Sequence, residues 1–295
     1  MDKIGILNKE NIVDLSKIKG SIWFDGEIVD WQDATVHLLT HTLHYGLGVF
    51  EGVRAYNTKE GPSIFRLEDH TARLFKSAET VSLKIPFSQT QINDAHKQII
   101  KLNNLTEGYI RPMCFYGSEG MGLRADNLEV HCMVAAWEWP SYMEPEAREK
   151  GIKVKLSSYV RQVRNPVSSA KVNGNYVHSI VALNEALEEG YEEALMLDAE
   201  GFIAEGSGEN FFIVKDSVLL TPDLDASLDG ITRRTILDLA KELNIKSEIK
   251  KLTVEDVLSA DEAFFSGTAA EVVPINSLDN KQIGEGRRGP ITEEL

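Results

Sequence analysis

Two prolines, Pro140 and Pro145, interrupt the chain between strand patterns. Val130 to Trp139 is an apolar run that reads as a buried strand, and Ile152 to Val160 alternates as a second strand. Proline cannot donate to a strand ladder and breaks a helix, so the stretch between reads as a linker. The pattern predicts two unequal α+β halves: a small N-terminal domain over 1–138, a linker at 139–147 and a larger domain over 148–295.

The N-terminal half has short strands at Ser21 to Phe24, Glu27 to Val29 and Ser63 to Arg66, and a longer one over Val49 to Tyr56. Helices are predicted from Leu67 to about Leu83 and from Ser88 to Asn103. Tyr109 to Tyr116 is a mostly apolar strand carrying Arg111, and an arginine in such a place usually meets a fixed anion. In the C-terminal half, Val177 to Glu189 reads as a helix with Ile180, Leu183 and Leu187 facing inward. Four strands between Glu193 and Thr221 read as a meander, and Arg233 to Asn244 as a helix.

Acidic residues outnumber basic ones 46 to 31, which argues against a nucleic-acid partner. No run approaches the length of a membrane span, and Met1 to Gly5 lacks the apolar core of a signal peptide, so a cytoplasmic protein is expected. Cys114 and Cys132 both lie in apolar strands and read as reduced core residues. His37, His41 and His44 have the spacing of one helix face, but no carboxylate or cysteine accompanies them, and no metal site is assigned.

Lys171 stands alone in Ala170-Lys171-Val172-Asn173-Gly174-Asn175-Tyr176, with no other charged residue from Asn165 to Tyr176. An amine held away from charge and water is pushed toward its neutral form, in which it attacks carbonyls; the bland reading is a lysine on a polar loop. Two segments suit a phosphate. Gly230-Ile231-Thr232 opens a helix, whose N-terminal N–H groups favour an anion, and Ser266-Gly267-Thr268 offers two hydroxyls and a permissive glycine after a strand. Each also reads as an ordinary cap or turn. Glu205, at a glycine-interrupted strand end, is either a turn carboxylate or a group that holds a proton on a heteroaromatic nitrogen.

Taken together, HYGLGVFEGVRAY (44–56), YIRP (109–112), KVNGNY (171–176), EGSGENFF (205–212), the Leu228 to Thr232 segment, SGTAAE (266–271) and GEGRRGP (284–290) resemble the class IV pyridoxal-phosphate aminotransferases, specifically the branched-chain type. The resemblance implies an α+β, two-domain fold-type-IV enzyme whose larger domain has a barrel-like β core. It implies transfer of an amino group between L-leucine, L-isoleucine or L-valine and 2-oxoglutarate, in branched-chain amino acid biosynthesis and degradation. The cofactor implied is pyridoxal 5'-phosphate, and the assembly a homo-oligomer of dimer units, with hexamers among relatives.

By this resemblance Lys171 is the Schiff-base lysine that also moves a proton on and off the substrate carbon. Tyr176 bonds the cofactor phenolate, Glu205 pairs with its pyridinium nitrogen and Leu228 packs on its ring. Arg73, Ile231, Thr232 and Thr268 form the phosphate cup. Phe50, Gly52, Tyr109, Arg111, Trp139, Thr268 and Ala269 fall on pocket positions, and Tyr45 and Leu123 reach the neighbouring subunit's site. Arg111 would take the second carboxylate of glutamate, with aromatic residues lining the apolar part. There are three departures: Asp229 where relatives have proline, expected to face solvent; Val172-Asn173 where relatives have Ala-Gly; and an end at Leu295, about where relatives begin a last helix. Rival readings on the same fold are a D-amino acid aminotransferase and an aminodeoxychorismate lyase.

Overall fold

A computed structural model of the chain describes residues 13–139, 145–163 and 165–295. The linker expected at 139–147 lies largely outside them. The chain forms two compact units, Val13–Pro140 with Ala170–Asn175, and Ser141–Ser169 with Tyr176–Leu295. The lysine-bearing segment therefore belongs to the first unit, although it lies far along the chain.

The first unit contains β1 (Ser21–Phe24), β2 (Glu27–Asp30), α1 (His41–Tyr45), β3 (Gly48–Phe50), β4 (Val53–Thr58), β5 (Gly61–Ile64), α2 (Leu67–Thr80), α3 (Gln89–Leu102), β6 (Gly108–Tyr116) and β7 (Val130–Trp137). Its strands form one sheet in the order β2-β1-β7-β6-β4-β5, with β3 also pairing with β6. α3 starts where Ser88 and Gln91 close a capping box, each side chain bonding the other's backbone N–H. Ile92, Ala95 and Ile99 on α3, with Leu74 and Ala78 on α2, bury against Val49, Val53, Ile110 and Val134. Each large aliphatic side chain so buried contributes about 1.5–3 kcal/mol. Cys114 and Cys132 sit opposite one another in this core as free thiols.

One strand expected from the sequence is broken. VFEGVRAY is split into β3 and β4, with Glu51 and Gly52 between them. The break has two causes. The Glu51 side chain is fully buried among polar partners, described below. At Gly52 a β-carbon would stand 2.8 Å from Tyr109 Cζ, so the backbone crosses the tyrosine ring too closely for any side chain.

The second unit contains α4 (Pro145–Lys150), β8 (Ile152–Arg161), α5 (Pro166–Ser169), α6 (Tyr176–Glu188), β9 (Glu193–Asp198), β10 (Ile203–Gly206), β11 (Asn210–Lys215), β12 (Val218–Thr221), α7 (Ile231–Glu242), β13 (Ser247–Ile249), α8 (Val254–Leu258), β14 (Glu262–Gly267), β15 (Glu271–Leu278), β16 (Lys281–Gln282) and α9 (Pro290–Glu294). Its sheet runs β10-β9-β8-β15-β14-β11-β12-β13. The expected meander is therefore two hairpins: β9–β10 at one end of the order and β11–β12 toward the other. β10 and β11 follow each other in the chain, and Gly206 N–H donates to Glu209 C=O at 2.8 Å in the turn between them, so the sheet curls back on itself.

α6 also differs from expectation. Ser179, Ala182 and Ala186 face inward, while Ile180 and Leu187 are 57% and 52% exposed. Small residues let the helix lie close on Ala194 and Met196 of β9, which a row of leucines would prevent.

Candidate active site

In the first unit, Lys171 is fixed by its backbone on both sides. Its N–H donates to Ser77 Oγ at 3.0 Å and its carbonyl accepts from Phe50 N–H at 3.2 Å. Val172 forms a bridge with Val49, and Gly174 packs on Gly46, where a β-carbon would lie 3.0 Å from Gly174 Cα. Gly46 also has φ of 69°, so it ends α1 in a conformation that costs glycine little. The lysine amine lies 4.9 Å from the centre of the Phe50 ring.

Arg111 lies 4.6 Å from the centre of that same ring. One of its Nη2 hydrogens goes to Tyr109 Oη at 3.0 Å, while Nε is buried without a partner among the described residues. Tyr109 meets Trp139 edge to face at 4.7 Å. Phe50, Gly52, Tyr109, Arg111, Trp139 and Lys171 thus cluster around the Phe50 and Tyr109 rings in the first unit. The uncharged neighbourhood of Lys171 in sequence is not uncharged in space, because β6 supplies Arg111.

Arg73, on α2, is neither solvated nor isolated. Its Nε donates to Glu51 Oε1 at 2.6 Å and its Nη2 to Glu51 Oε2 at 2.7 Å. His70, one turn earlier, sets Nδ1 2.8 Å from Glu51 Oε2. Glu51 is fully buried, His70 is 1% exposed and the Arg73 side chain 10%. Burial alone would raise the Glu51 carboxyl, but the Arg73 charge and the bonds from Arg73 and His70 outweigh it and hold it at about 2. Burial lowers His70 below the usual imidazole value, against the pull of Glu51, and the nearby positive charges of Arg73 and Lys171 lower it further. Neutral His70 then donates Nδ1–H to the carboxylate.

In the second unit, Glu205 is the next-to-last residue of β10 and is 7% exposed. Arg161 Nη2 pairs with its Oε1 at 2.5 Å, and Leu228 N–H donates to its Oε2 at 3.0 Å. Asn210 Nδ2 donates to the Leu228 carbonyl at 2.8 Å, which braces the turn into α7. Gly230 caps α7 without a side-chain hydrogen bond, and Ile231 and Thr232 form the first turn. Asp229 is bound bidentately by Arg234, at 2.9 and 2.5 Å, and is half-buried rather than turned fully to solvent. Thr268 and Ala269 form a turn after β14, and Ser266 Oγ is buried with no partner among the described residues. Tyr176 is the first residue of α6.

His37, His41 and His44 do not share a helix face, since only 41–45 is helical. His41 and His44 bond the carbonyls of Gly122 and Leu38. Tyr45 is 41% exposed and accepts from Gly122 N–H, while Leu123 is 90% exposed. Sequence reasoning passed over Glu51, His70 and Arg161. The signal at Glu51 was a carboxylate inside an apolar strand pattern, where a charge needs a partner.

The sequence pattern of the class IV amino-transferase family matches residues 48–278. The chain belongs to the class IV aminotransferases. Its relatives in this family include the branched-chain-amino-acid aminotransferase of Pseudomonas aeruginosa, 57% identical over 94% of this chain and 90% of that one. The Escherichia coli K12 protein of the same name is 45% identical over 93% and 90%. Among solved structures, the E. coli branched-chain amino acid aminotransferase superposes with a TM-score of 0.91 at 44% identity, over 94% of this chain and 92% of that one. A T.th. branched-chain amino acid aminotransferase solved with pyridoxamine 5'-phosphate also gives 0.91, at 41% identity over 94% and 91%. The α+β two-unit fold is that of a class IV aminotransferase, and no helix among the described residues is long and apolar enough to cross a membrane.

Proposed function

We propose that this aminotransferase moves the amino group between L-leucine, L-isoleucine or L-valine and 2-oxoglutarate, using pyridoxal phosphate. The observation that carries the reading is the Phe50 ring, which holds the Lys171 amine and the Arg111 guanidinium at comparable distances. A reacting amine and a carboxylate receptor flank one apolar surface, as a branched aliphatic chain and a dicarboxylate in turn require.

The chain's residues fit the cofactor. Ser266 Oγ is buried without a partner among the described residues, α7 begins without a side-chain cap, and Glu205 is an acceptor held by Arg161. When bound, pyridoxal phosphate supplies an electron sink for cleavage of the bond between the substrate's α-carbon and its hydrogen. Lys171 is the covalent anchor and the base that takes that proton and returns it. Glu205 holds a proton on the ring nitrogen, Tyr176 donates to the phenolate oxygen, and Leu228 covers the ring. Arg73 and the N–H groups of Ile231, Thr232 and Thr268 take the phosphate. Arg111, its Nε unmatched among the described residues, takes the distal carboxylate of glutamate, while Tyr109 and Trp139 exclude water from the apolar side. Exposed Tyr45 and Leu123 suit a role at a neighbouring subunit in a homo-oligomer built of dimers.

Comparing L-leucine, D-alanine and aminodeoxychorismate as substrates tests the reading. Turnover of L-leucine with 2-oxoglutarate, and of neither alternative, is expected. Preference for D-alanine, or release of pyruvate from aminodeoxychorismate, would assign the chain to a different activity.

A further inference from the structure

We propose that Glu51 is a positioning residue for anion binding: it clamps the Arg73 guanidinium so that its opposite edge is aimed at a phosphate. The inference rests on the reading that the chain binds pyridoxal phosphate.

A carboxylate beside an anion site is at first sight a mistake, because it repels the ligand. The geometry explains it. Both Glu51 oxygens are engaged, Oε1 by Arg73 Nε and Oε2 by Arg73 Nη2 and His70 Nδ1. A two-point bond along the Nε–Nη2 edge fixes the plane of the guanidinium, and with it the direction of the Nη1 edge. A single long arginine without this clamp would sample several rotamers and lose that freedom on binding. His70 fixes the carboxylate in turn, and burial keeps it neutral, so it adds a bond without adding charge. The Glu51–Arg73 pair is therefore electrically balanced, and what it offers an anion is direction. Pre-aimed donors bind more tightly than mobile ones because ordering has been done at folding.

The test is to titrate the cofactor-free protein with pyridoxal phosphate and, separately, with pyridoxal, which lacks the phosphate. Binding is followed by quenching of tryptophan fluorescence. For Glu51→Gln, the dissociation constant for pyridoxal phosphate is expected to rise about 10- to 100-fold, the scale seen when the outer partner of a binding residue is removed. That for pyridoxal should stay where it is. Added to Arg73→Gln, Glu51→Gln should cause no further loss, since it acts through that arginine. Glu51→Asp keeps the charge but shortens the reach, and should lose part of the phosphate preference; it carries the test if the glutamine variant does not fold, as checked by thermal melting.

Equal losses for both ligands would make Glu51 merely structural and overturn the proposal. So would unchanged or tighter binding of pyridoxal phosphate, which would show that the carboxylate only repels. If the wild-type protein binds neither ligand, the cofactor reading itself fails, and the proposal with it. If the wild type favours pyridoxal phosphate and Glu51→Gln preserves that preference, only the proposal fails.

Discussion

Each unit buries one carboxylate–arginine pair beside residues that the family resemblance assigns to the cofactor, and the two pairs are built differently. In the first, Glu51 is enclosed on all sides and spends both oxygens on Arg73 and His70. In the second, Glu205 gives one oxygen to Arg161 and the other to the Leu228 backbone, with both side chains 9% exposed. The roles proposed above are reversed: in one pair the arginine meets the ligand and the carboxylate supports it, in the other the carboxylate meets the ligand and the arginine supports it. In that reading the same two residue types make an anion site in one unit and a proton-holding site in the other; Glu51 is buried more deeply than its arginine, whereas Glu205 and Arg161 are equally buried.

The comparison can be broken most decisively at the group both pairs would serve. Lys171→Ala should lower transamination by about 10⁴-fold or more, measured as leucine-dependent glutamate formation, because both anchor and proton carrier are lost. A near-normal rate would remove the reason for comparing the pairs. Next, Glu205→Gln should lower kcat by about 10²- to 10³-fold, the cost of removing one preorganised group from a reacting centre. Its ratio of pyridoxal phosphate to pyridoxal affinity should not move, in contrast to Glu51→Gln. If it moves as much, the two pairs do the same work.

Acid stability sharpens the contrast further. Glu51 is lowered from 4.5 to about 2, so its contribution, about 3 kcal/mol, is fully present above pH 4.5 and is lost as pH falls toward 2. His96 is buried and lowered from 6.5 to about 4, so folding must keep it neutral while the unfolded chain takes up a proton; stability is lost as pH falls from 6.5 toward 4. His96→Leu should flatten urea-unfolding stability across that window while leaving the steeper loss below pH 4.5. An unchanged slope between pH 6.5 and 4 would exclude His96 as its cause. The smallest effect belongs to a third pair, Asp229 and Arg234, equally bidentate but 34% and 38% exposed. Asp229→Asn should change stability by under about 1 kcal/mol, because water screens what burial does not. A loss as large as that of Glu51→Ala, expected at about 3–5 kcal/mol, would mean that geometry rather than burial sets the strength of these pairs.

Much of the fold was legible locally. The helix from Ser88 to Asn103, with its apolar period, and the apolar runs that form β6 and β7 needed nothing beyond neighbouring residues. The failures came where a distant residue intervened. Tyr109 and the partners of Glu51 broke a strand whose own pattern was continuous. On α6 the larger apolar residues suggested the wrong inward face, because β9 admits only a close approach by Ala182 and Ala186.

By itself the sequence determined the alternation of helices and strands and the family, and it singled out Lys171 as a candidate, since each rests on residue order along the chain. Only the tertiary structure decided what surrounds Lys171. Residues 170–175 belong to the compact unit formed by residues 13–140, so the lysine shares a ring with Arg111 and a charge cluster with His70 and Arg73. Electrostatic environment falls off with distance in space, and distance along the chain does not report it.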